Sequence, residues 1–229
     1  MAVIAKFENV TKSYHINEIQ IPVLKNINFE IESEDMVAFV GPSGSGKTTI
    51  LNLLGCLDKP EKGNIYIEKE LINNYNKNTL ADLRNQKIGF IFQSFNLIPV
   101  LSAYENVEFP LLLENIKNKK QREDMVREIL RKVGIEQLKD RLPTHMSGGQ
   151  QQRVAIARAL VKKPIIILAD EPTANLDSKT AGEILDLMRH MNESLKTTFV
   201  FSTHDPKIMS FAKRLVTLED GNIVKDERK

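Results

Sequence analysis

The sequence is poor in several things, and each shortage closes off a class of protein. A single cysteine, Cys56, stands among 229 residues. One thiol forms no internal disulfide and builds no cysteine-rich metal site. Tryptophan is absent and aromatic residues make up only 6%. Uninterrupted apolar runs such as 165–169 are a handful of residues long, far below the ~18–20 that a membrane span requires. No basic stretch leads into an apolar segment behind Met1, so a secretory signal is not expected. Charge of one sign is also missing. Lys and Arg number 32 against 30 Asp and Glu, which leaves a formal net charge of +2. Nucleic-acid binding through bulk charge has no support in that balance, and no nucleic-acid partner is expected. What remains is 41% hydrophobic and 27% charged, ordinary for a globular chain with a sizeable core. The expectation is one soluble, intracellular domain that reaches any membrane only through a partner.

The positive signals alternate between strand and helix. Period-2 or continuous β-branched stretches fall at 3–10, 27–31, 36–40, 65–67, 88–92, 165–169, 198–202, 215–218 and 222–224. In 27–31 the alternation is clean, as expected for an antiparallel strand with one wet face. In 36–40 and 165–169 every residue is apolar, the pattern of strands covered on both faces inside a parallel sheet. Helical spacing appears at 47–56, 118–133, 150–162 and 178–193, with Asp177 or Ser178 placed to cap the last. Residues 94–161 carry helical patterns and no strong strand. An α/β core with an inserted helical part is expected.

The chemistry starts directly after strand 36–40. Gly41, Pro42, Ser43, Gly44, Ser45, Gly46, Lys47 and Thr48 match G-x-x-x-x-G-K-[ST] in full, and a helical pattern follows through Thr49. Glycines let successive backbone N–H groups turn toward phosphate oxygens, and the helix adds its positive N-terminal end. Lys47 brings a point charge to the β- and γ-phosphates, and the Thr48 hydroxyl is a ligand for Mg²⁺. Strand 165–169 runs into Asp170 and Glu171. At a strand's end Asp170 meets the Mg²⁺ hydration shell from the side opposite Thr48. Glu171 points elsewhere by alternation and is placed to act as general base on a water. Together the motifs predict a nucleoside-triphosphate site that uses magnesium. A GTPase is disfavoured, because Asn118-Lys119-Lys120-Gln121 lacks the aspartate of a guanine-reading N-K-x-D motif.

A further run narrows the class. Met146-Ser147-Gly148-Gly149-Gln150, continuing through Gln151-Gln152-Arg153-Val154-Ala155, resembles the signature sequence of ATP-binding-cassette (ABC) ATPases. Small residues at a helix start make a second anion cradle, with the Ser147 hydroxyl beside backbone N–H groups. Two cradles on one small domain do not easily reach one nucleotide. The resemblance implies how they meet: in a head-to-tail homodimer, with each ATP between the phosphate loop of one copy and Ser147, Gly148, Gly149, Gln150 and Asp177 of the other. It also implies that Tyr14 stacks on adenine, that Gln93 senses Mg²⁺ and the attacking water, and that His204 contacts the γ-phosphate. The catalytic set so implied is Lys47, Gln93, Glu171 and His204, with Thr48, Gln93 and Asp170 around Mg²⁺. The implied fold is a P-loop NTPase (RecA-like) core over residues 1–93 and 162–229. An N-terminal antiparallel β-subdomain and an inserted α-helical subdomain over 94–161 complete it. His15, His145 and His190 match nothing.

The resemblance spans essentially the whole chain. At finer grain 41–58, 88–97 and 170–177 look like the subgroup serving lipoprotein release and macrolide efflux (LolD/MacB-type), related to the cell-division ATPase FtsE. The implied protein is an ATP-hydrolysing motor, peripheral on the cytoplasmic face of the inner membrane. It would drive export, lipoprotein extraction or mechanotransmission through an integral membrane permease subunit. An FtsE-like regulatory ATPase that signals without transport is the alternative. Relatives in DNA repair or translation are disfavoured for want of a coiled-coil insertion, zinc module or second cassette. Ser94-Phe95-Asn96-Leu97-Ile98-Pro99 is expected to be an exposed loop suited to a helix of the membrane subunit. Three residues depart from the family pattern: Met146 for leucine, Ala174 for glycine, and Glu34 at a turn where glycine is usual.

Overall fold

The structure, a computed structural model, describes residues 2–17, 19–114 and 116–229. The chain begins with β1 (Val3–Ile16), β2 (Ile19–Glu32), β3 (Met36–Val40), α1 (Lys47–Leu54), β4 (Lys62–Ile67) and β5 (Glu70–Leu71). It continues through α2 (Lys77–Lys87), β6 (Ile88–Phe92), α3 (Ala103–Leu113), α4 (Lys119–Lys132) and α5 (Gly148–Leu160). It ends with β7 (Ile166–Asp170), α6 (Ser178–Leu195), β8 (Thr198–Thr203), α7 (Pro206–Phe211), β9 (Arg214–Glu219) and β10 (Asn222–Arg228).

The all-apolar runs are explained by what covers them. In β3, Met36, Ala38 and Val40 face one hydrophobic core while Val37 and Phe39 face the other. The same division splits β7, with Ile167 and Ala169 on one side and Ile166 and Leu168 on the other. A strand buried on both faces has no wet position to fill with a polar residue. These strands form a six-stranded sheet in the order β10-β9-β3-β8-β7-β6, in which only β10 is antiparallel to its neighbour. Against one face lies the second sheet, β2-β1-β4-β5, which is antiparallel throughout. Helices α3 to α6 contribute to the core on the opposite face. Among the described residues between β6 and β7 there are three α-helices, two 3₁₀ turns and no strand.

Several elements go beyond the expected ones. Strands β1 and β2 are 14 residues each, longer than 3–10 and 27–31. Register shifts between Phe7 and Val10, Val10 and Lys12, and Lys12 and Ser13 break the alternation that marks a strand. Helix α2 is largely polar, with Leu80 its one buried residue and Leu83 packed against the same core; Asn76 caps its start. Helix α3 carries apolar residues both buried (Val107, Leu111) and exposed (Phe109, Leu112) and contains Pro110, which together conceal its period. At the turn into β3, Glu34 takes φ 65°, the left-handed conformation that glycine would adopt without strain. A hydrogen bond from its N–H to Thr198 Oγ1 (2.9 Å) and an ion pair with Lys196 (2.9 Å) hold it there.

Helix α5 is seated on the sheet through Gly89 of β6. A Cβ on Gly89 would stand 2.6 Å from the carbonyl oxygen of Ala159, with the Ile167 side chain equally close. Gly89→Ala should therefore cost about 1–3 kcal/mol of stability, as overpacking against backbone does. Urea denaturation measures it; an unchanged midpoint would show that α5 moves freely on the sheet.

Candidate active site

Parallel strands ending at one level bring the predicted residues together. Val40 pairs with Thr203, Ser202 with Asp170, and Asp170 with Phe92. The residues that follow these strand ends open onto one cleft of about 690 Å³. Its lining includes Tyr14, Pro42, Ser43, Gly44, Gly46, Lys47, Thr48, Thr49, Gln93, Asp170, Glu171 and His204. Val23 and Ser202 also line it, two residues the sequence motifs did not mark. The crevice at the carboxyl ends of parallel strands is where ligands bind in open α/β sheets.

The loop from Gly41 to Gly46 is shaped for close approach of an anion. Gly46 caps α1 with φ 106°, and no side chain satisfies the first N–H groups of that helix. Gly44 has φ 80° with nothing within 4 Å of where a Cβ would stand. Lys47 is buried, and its ammonium donates to the carbonyls of Gly41 (2.8 Å) and Pro42 (2.9 Å). Neither partner carries charge. The Ser45 hydroxyl, inside the same loop, is buried without a hydrogen-bond partner.

Opposite the loop, Thr48 Oγ1 lies 3.4 and 3.5 Å from the two carboxylate oxygens of Asp170. Glu171 has φ 44°, an unfavourable backbone for a non-glycine residue. Its carboxylate is fixed at both oxygens. Oε2 accepts from Thr203 Oγ1 at 2.9 Å, and Oε1 accepts from the His204 backbone N–H at 3.2 Å and lies 2.5 Å from His204 Nδ1. Thr203, fully buried, is a functional neighbour that no motif singled out.

Ser147, Gly148, Gly149, Gln150 and Asp177 lie outside the lining of this cleft. They come together with one another instead. Ser147 caps α5 in a reciprocal pair with Gln150, and Asp177 caps α6 by accepting from Lys179 and Thr180 N–H groups. Hydrogen bonding from the Thr180 side chain, reinforced by the Thr180 and Lys179 N–H groups, holds the Asp177 carboxyl below its ordinary range. Gly149 lets the two helix starts touch, since a Cβ there would be 2.5 Å from Thr180 Cγ2. Asn175 Nδ2, beside this second locus, donates to the Gln93 carbonyl of the first at 3.0 Å. His15, His145 and His190 do not line the cleft.

The segment after Gln93 meets expectation in part, with Ser94, Asn96 and Pro99 exposed. Leu97 packs against the core rather than facing outward. Near it a separate groove of about 620 Å³ has Leu57, Phe90, Phe92, Pro110 and Leu113 as apolar lining, with Arg84, Arg158 and Lys162 among them. Leu57 and Leu113 are 51% and 59% exposed.

The fold and the cleft define a phosphate-loop nucleoside triphosphatase. The chain matches the family described as ABC transporter over residues 24–174. It is 46% identical over 226 residues to an ABC transporter ATP-binding protein of Methanocaldococcus jannaschii, MJ0796, covering 97% of this chain and 96% of that one. It is 44% identical over 221 residues to the lipoprotein-releasing system ATP-binding protein LolD of Francisella tularensis, covering 96% of each. A dimeric post-hydrolysis structure of the cassette MJ0796 bound to ADP and Pi matches it with a TM-score of 0.89 at 45% identity, over 98% of both chains. The chain belongs to the ABC transporter family, as an ABC ATPase of the LolD/MacB type. No helix among the described residues is long and apolar enough to cross a membrane.

Cys56 follows the C-terminal end of α1 and is buried in the core. Burial pushes its thiol up to about 11, against the opposing charge of Arg84. At pH 8 roughly one thiol in a thousand is then ionised, and the thiolate is the reactive form. Alkylation by iodoacetamide should be negligible at pH 8 and rise only as pH approaches 11 or the chain unfolds. Rapid labelling of native protein at pH 8 would contradict the burial argument.

Proposed function

We propose that this chain binds MgATP in the cleft and hydrolyses it as half of a head-to-tail homodimer, driving a membrane permease. The observation that carries this reading is Lys47: a buried residue lining the cleft, whose ammonium has only neutral carbonyl partners among the described residues, at the end of the glycine loop. A buried charge without a counter-charge is costly, and a triphosphate supplies the missing anion. Gly41, Pro42, Ser43, Gly44, Ser45, Gly46, Thr48 and Thr49 would form its cradle with Lys47, and Tyr14 the wall for adenine. Glu171, held by Thr203 and His204, would orient and deprotonate the attacking water. Gln93, His204 and Lys47 would neutralise developing charge.

Mg²⁺ fits the donors present. Thr48 and Asp170 offer a hydroxyl and a carboxylate across a gap too long for a strong mutual hydrogen bond. These are the hard oxygen donors the ion prefers, and it is commonly held by one or two side chains plus phosphates. Gln93 would complete the set. When bound, Mg²⁺ neutralises phosphate charge.

Ser147, Gly148, Gly149, Gln150 and Asp177 would complete the site of a second copy. Their clustering away from the cleft supports that assignment, because one copy alone leaves both loci half built. The proposed division is a core of 1–93 and 162–229 carrying a helical subdomain of 94–161. Glu171→Gln should keep ATP binding, accumulate an ATP-bound dimer on size exclusion and lower turnover by about 100-fold or more. Hydrolysis at the original rate would overturn the assignment of Glu171.

The apolar groove supports docking of a segment from an integral membrane subunit, which would place the chain on the cytoplasmic face of the inner membrane. Leu57→Asp with Leu113→Asp, both at exposed positions, should abolish co-purification with that subunit while leaving ATP binding and melting temperature unchanged. Undiminished co-purification would remove the groove from the interface.

A further inference from the structure

Tyr14 enters the cleft from the β1–β2 hairpin, yet the groups that fix it come from the segment after α1. Its hydroxyl donates to Asp58 Oδ2 at 3.0 Å. The other oxygen of Asp58 accepts the Lys12 ammonium at 2.6 Å and the Lys59 N–H at 2.7 Å. Lys12 also donates to the Lys59 carbonyl at 2.9 Å, and its ammonium stands 5.1 Å from the centroid of the Tyr14 ring. Two further bonds tie the same segment to both hairpin strands: Glu61 N–H to the Thr11 carbonyl (2.9 Å) and Gln20 Nε2 to Glu61 Oε1 (3.2 Å).

This arrangement removes the freedom of a side chain that is 37% exposed. An aromatic ring on a hairpin has alternative rotamers, and binding that must first order it is weakened by the cost of ordering. Here the hydroxyl is tethered before any ligand arrives. An ammonium on one side of the ring favours that face by cation–π attraction and leaves the opposite face for a stacking partner. Burial pushes the Asp58 carboxyl up, but hydrogen bonds from Lys12, Lys59 N–H and Tyr14 outweigh it and hold the group below its ordinary range. It therefore remains the ionised acceptor that both partners require.

We propose that Asp58, together with Lys12, is a positioning residue for nucleobase recognition, presetting the Tyr14 ring as the wall on which adenine stacks. The proposal rests on the reading that Tyr14 carries the base. It adds residues outside the phosphate loop that control affinity for the adenine nucleotide without touching the reacting atoms.

Calorimetric binding of ATP and of inorganic tripolyphosphate, with KM and kcat for ATP, tests it on Asp58→Ala, Asp58→Asn, Lys12→Gln, Tyr14→Phe, Tyr14→Ala and the double variant Tyr14→Phe/Asp58→Ala. Asp58→Ala should raise Kd and KM for ATP about five-fold, the effect of losing the hydrogen bond that tethers the Tyr14 hydroxyl, and leave tripolyphosphate affinity intact. The kcat should stay within about two-fold, since uniform binding alone is lost. Tyr14→Phe should match it, and the double variant should be no weaker than either single one, because both changes delete the same bond. Asp58→Asn, still an acceptor, should recover part of the loss, and Lys12→Gln should fall between. Wild-type KM in both Asp58→Ala and Tyr14→Phe overturns the proposal. Equal weakening of ATP and tripolyphosphate also overturns it, by assigning Asp58 to the phosphate loop. Tyr14→Ala separates the two ideas: unchanged ATP affinity in that variant defeats the stacking reading itself. A loss in Tyr14→Ala without one in Asp58→Ala or Tyr14→Phe defeats only the positioning role.

Discussion

The parallel register of β3, β8, β7 and β6 decides where every reactive group of the cleft stands. Because Val40, Thr203, Asp170 and Phe92 end at neighbouring levels of one sheet, the next few residues of each strand meet without long loops to place them. Gly41 follows β3, Glu171 follows β7, Gln93 follows β6 and His204 follows β8. A one-residue slip would turn each side chain to the opposite face. The two cores forbid that slip, since alternate residues of these strands belong to different clusters. Packing on both faces of the sheet is thus also the device that aligns the chemistry.

Charge is the second organising constraint. Lys47 is buried beside carbonyls and N–H groups that share no formal negative charge, so the loop is complementary to an anion that the chain does not itself supply. The carboxylates are kept apart from it and are managed differently. Asp170 faces Thr48, whereas Glu171 is fixed by Thr203 and His204. Two adjacent acids therefore have distinct surroundings, the condition for giving them distinct roles. The helix starts at Ser147 and Asp177 repeat the logic of exposed N–H groups at a second place, which has meaning under the proposed function only if another copy brings its phosphate loop there.

The core strands and the phosphate loop were legible because their signals are local. An apolar run of five with glycine, lysine and threonine directly after it leaves little choice of structure. The long hairpin was not legible, because its bulges interrupt the alternation from Phe7 to Ser13. Helix α2 hid because its core contacts, Leu80 and Leu83, are sparse among polar residues, and α3 behind Pro110 and apolar residues that do not keep to one face. At the site, residues named by a motif were found, whereas Thr203, Val23 and Asp58 were not. Thr203 bonds Glu171 and Asp58 bonds Tyr14, partners distant in sequence, and such pairings become visible only when the strands are assembled. Leu97 erred in the opposite direction: an apolar residue in a loop looked available, but the core claims it.

The short stretch from Gln93 to Asn96 links everything the proposed cycle would have to connect. Gln93 lines the cleft and its carbonyl accepts from Asn175 of the second locus, while Asn96 lines the apolar groove. Phe95 and Asn96 both have positive φ (59° and 49°), an unusual run for non-glycine residues. Arg158 holds that kink by donating to the carbonyls of Phe95 (2.8 Å) and Asn96 (2.5 Å). A strained backbone survives only where its surroundings over-determine it. The anchor is α5, the helix whose N-terminus carries Ser147. The cleft, the second locus and the groove therefore all border one kinked segment. A ligand shifts a conformational equilibrium only by its differential affinity for the states, and this segment is where such a difference at one surface would be felt at the other two.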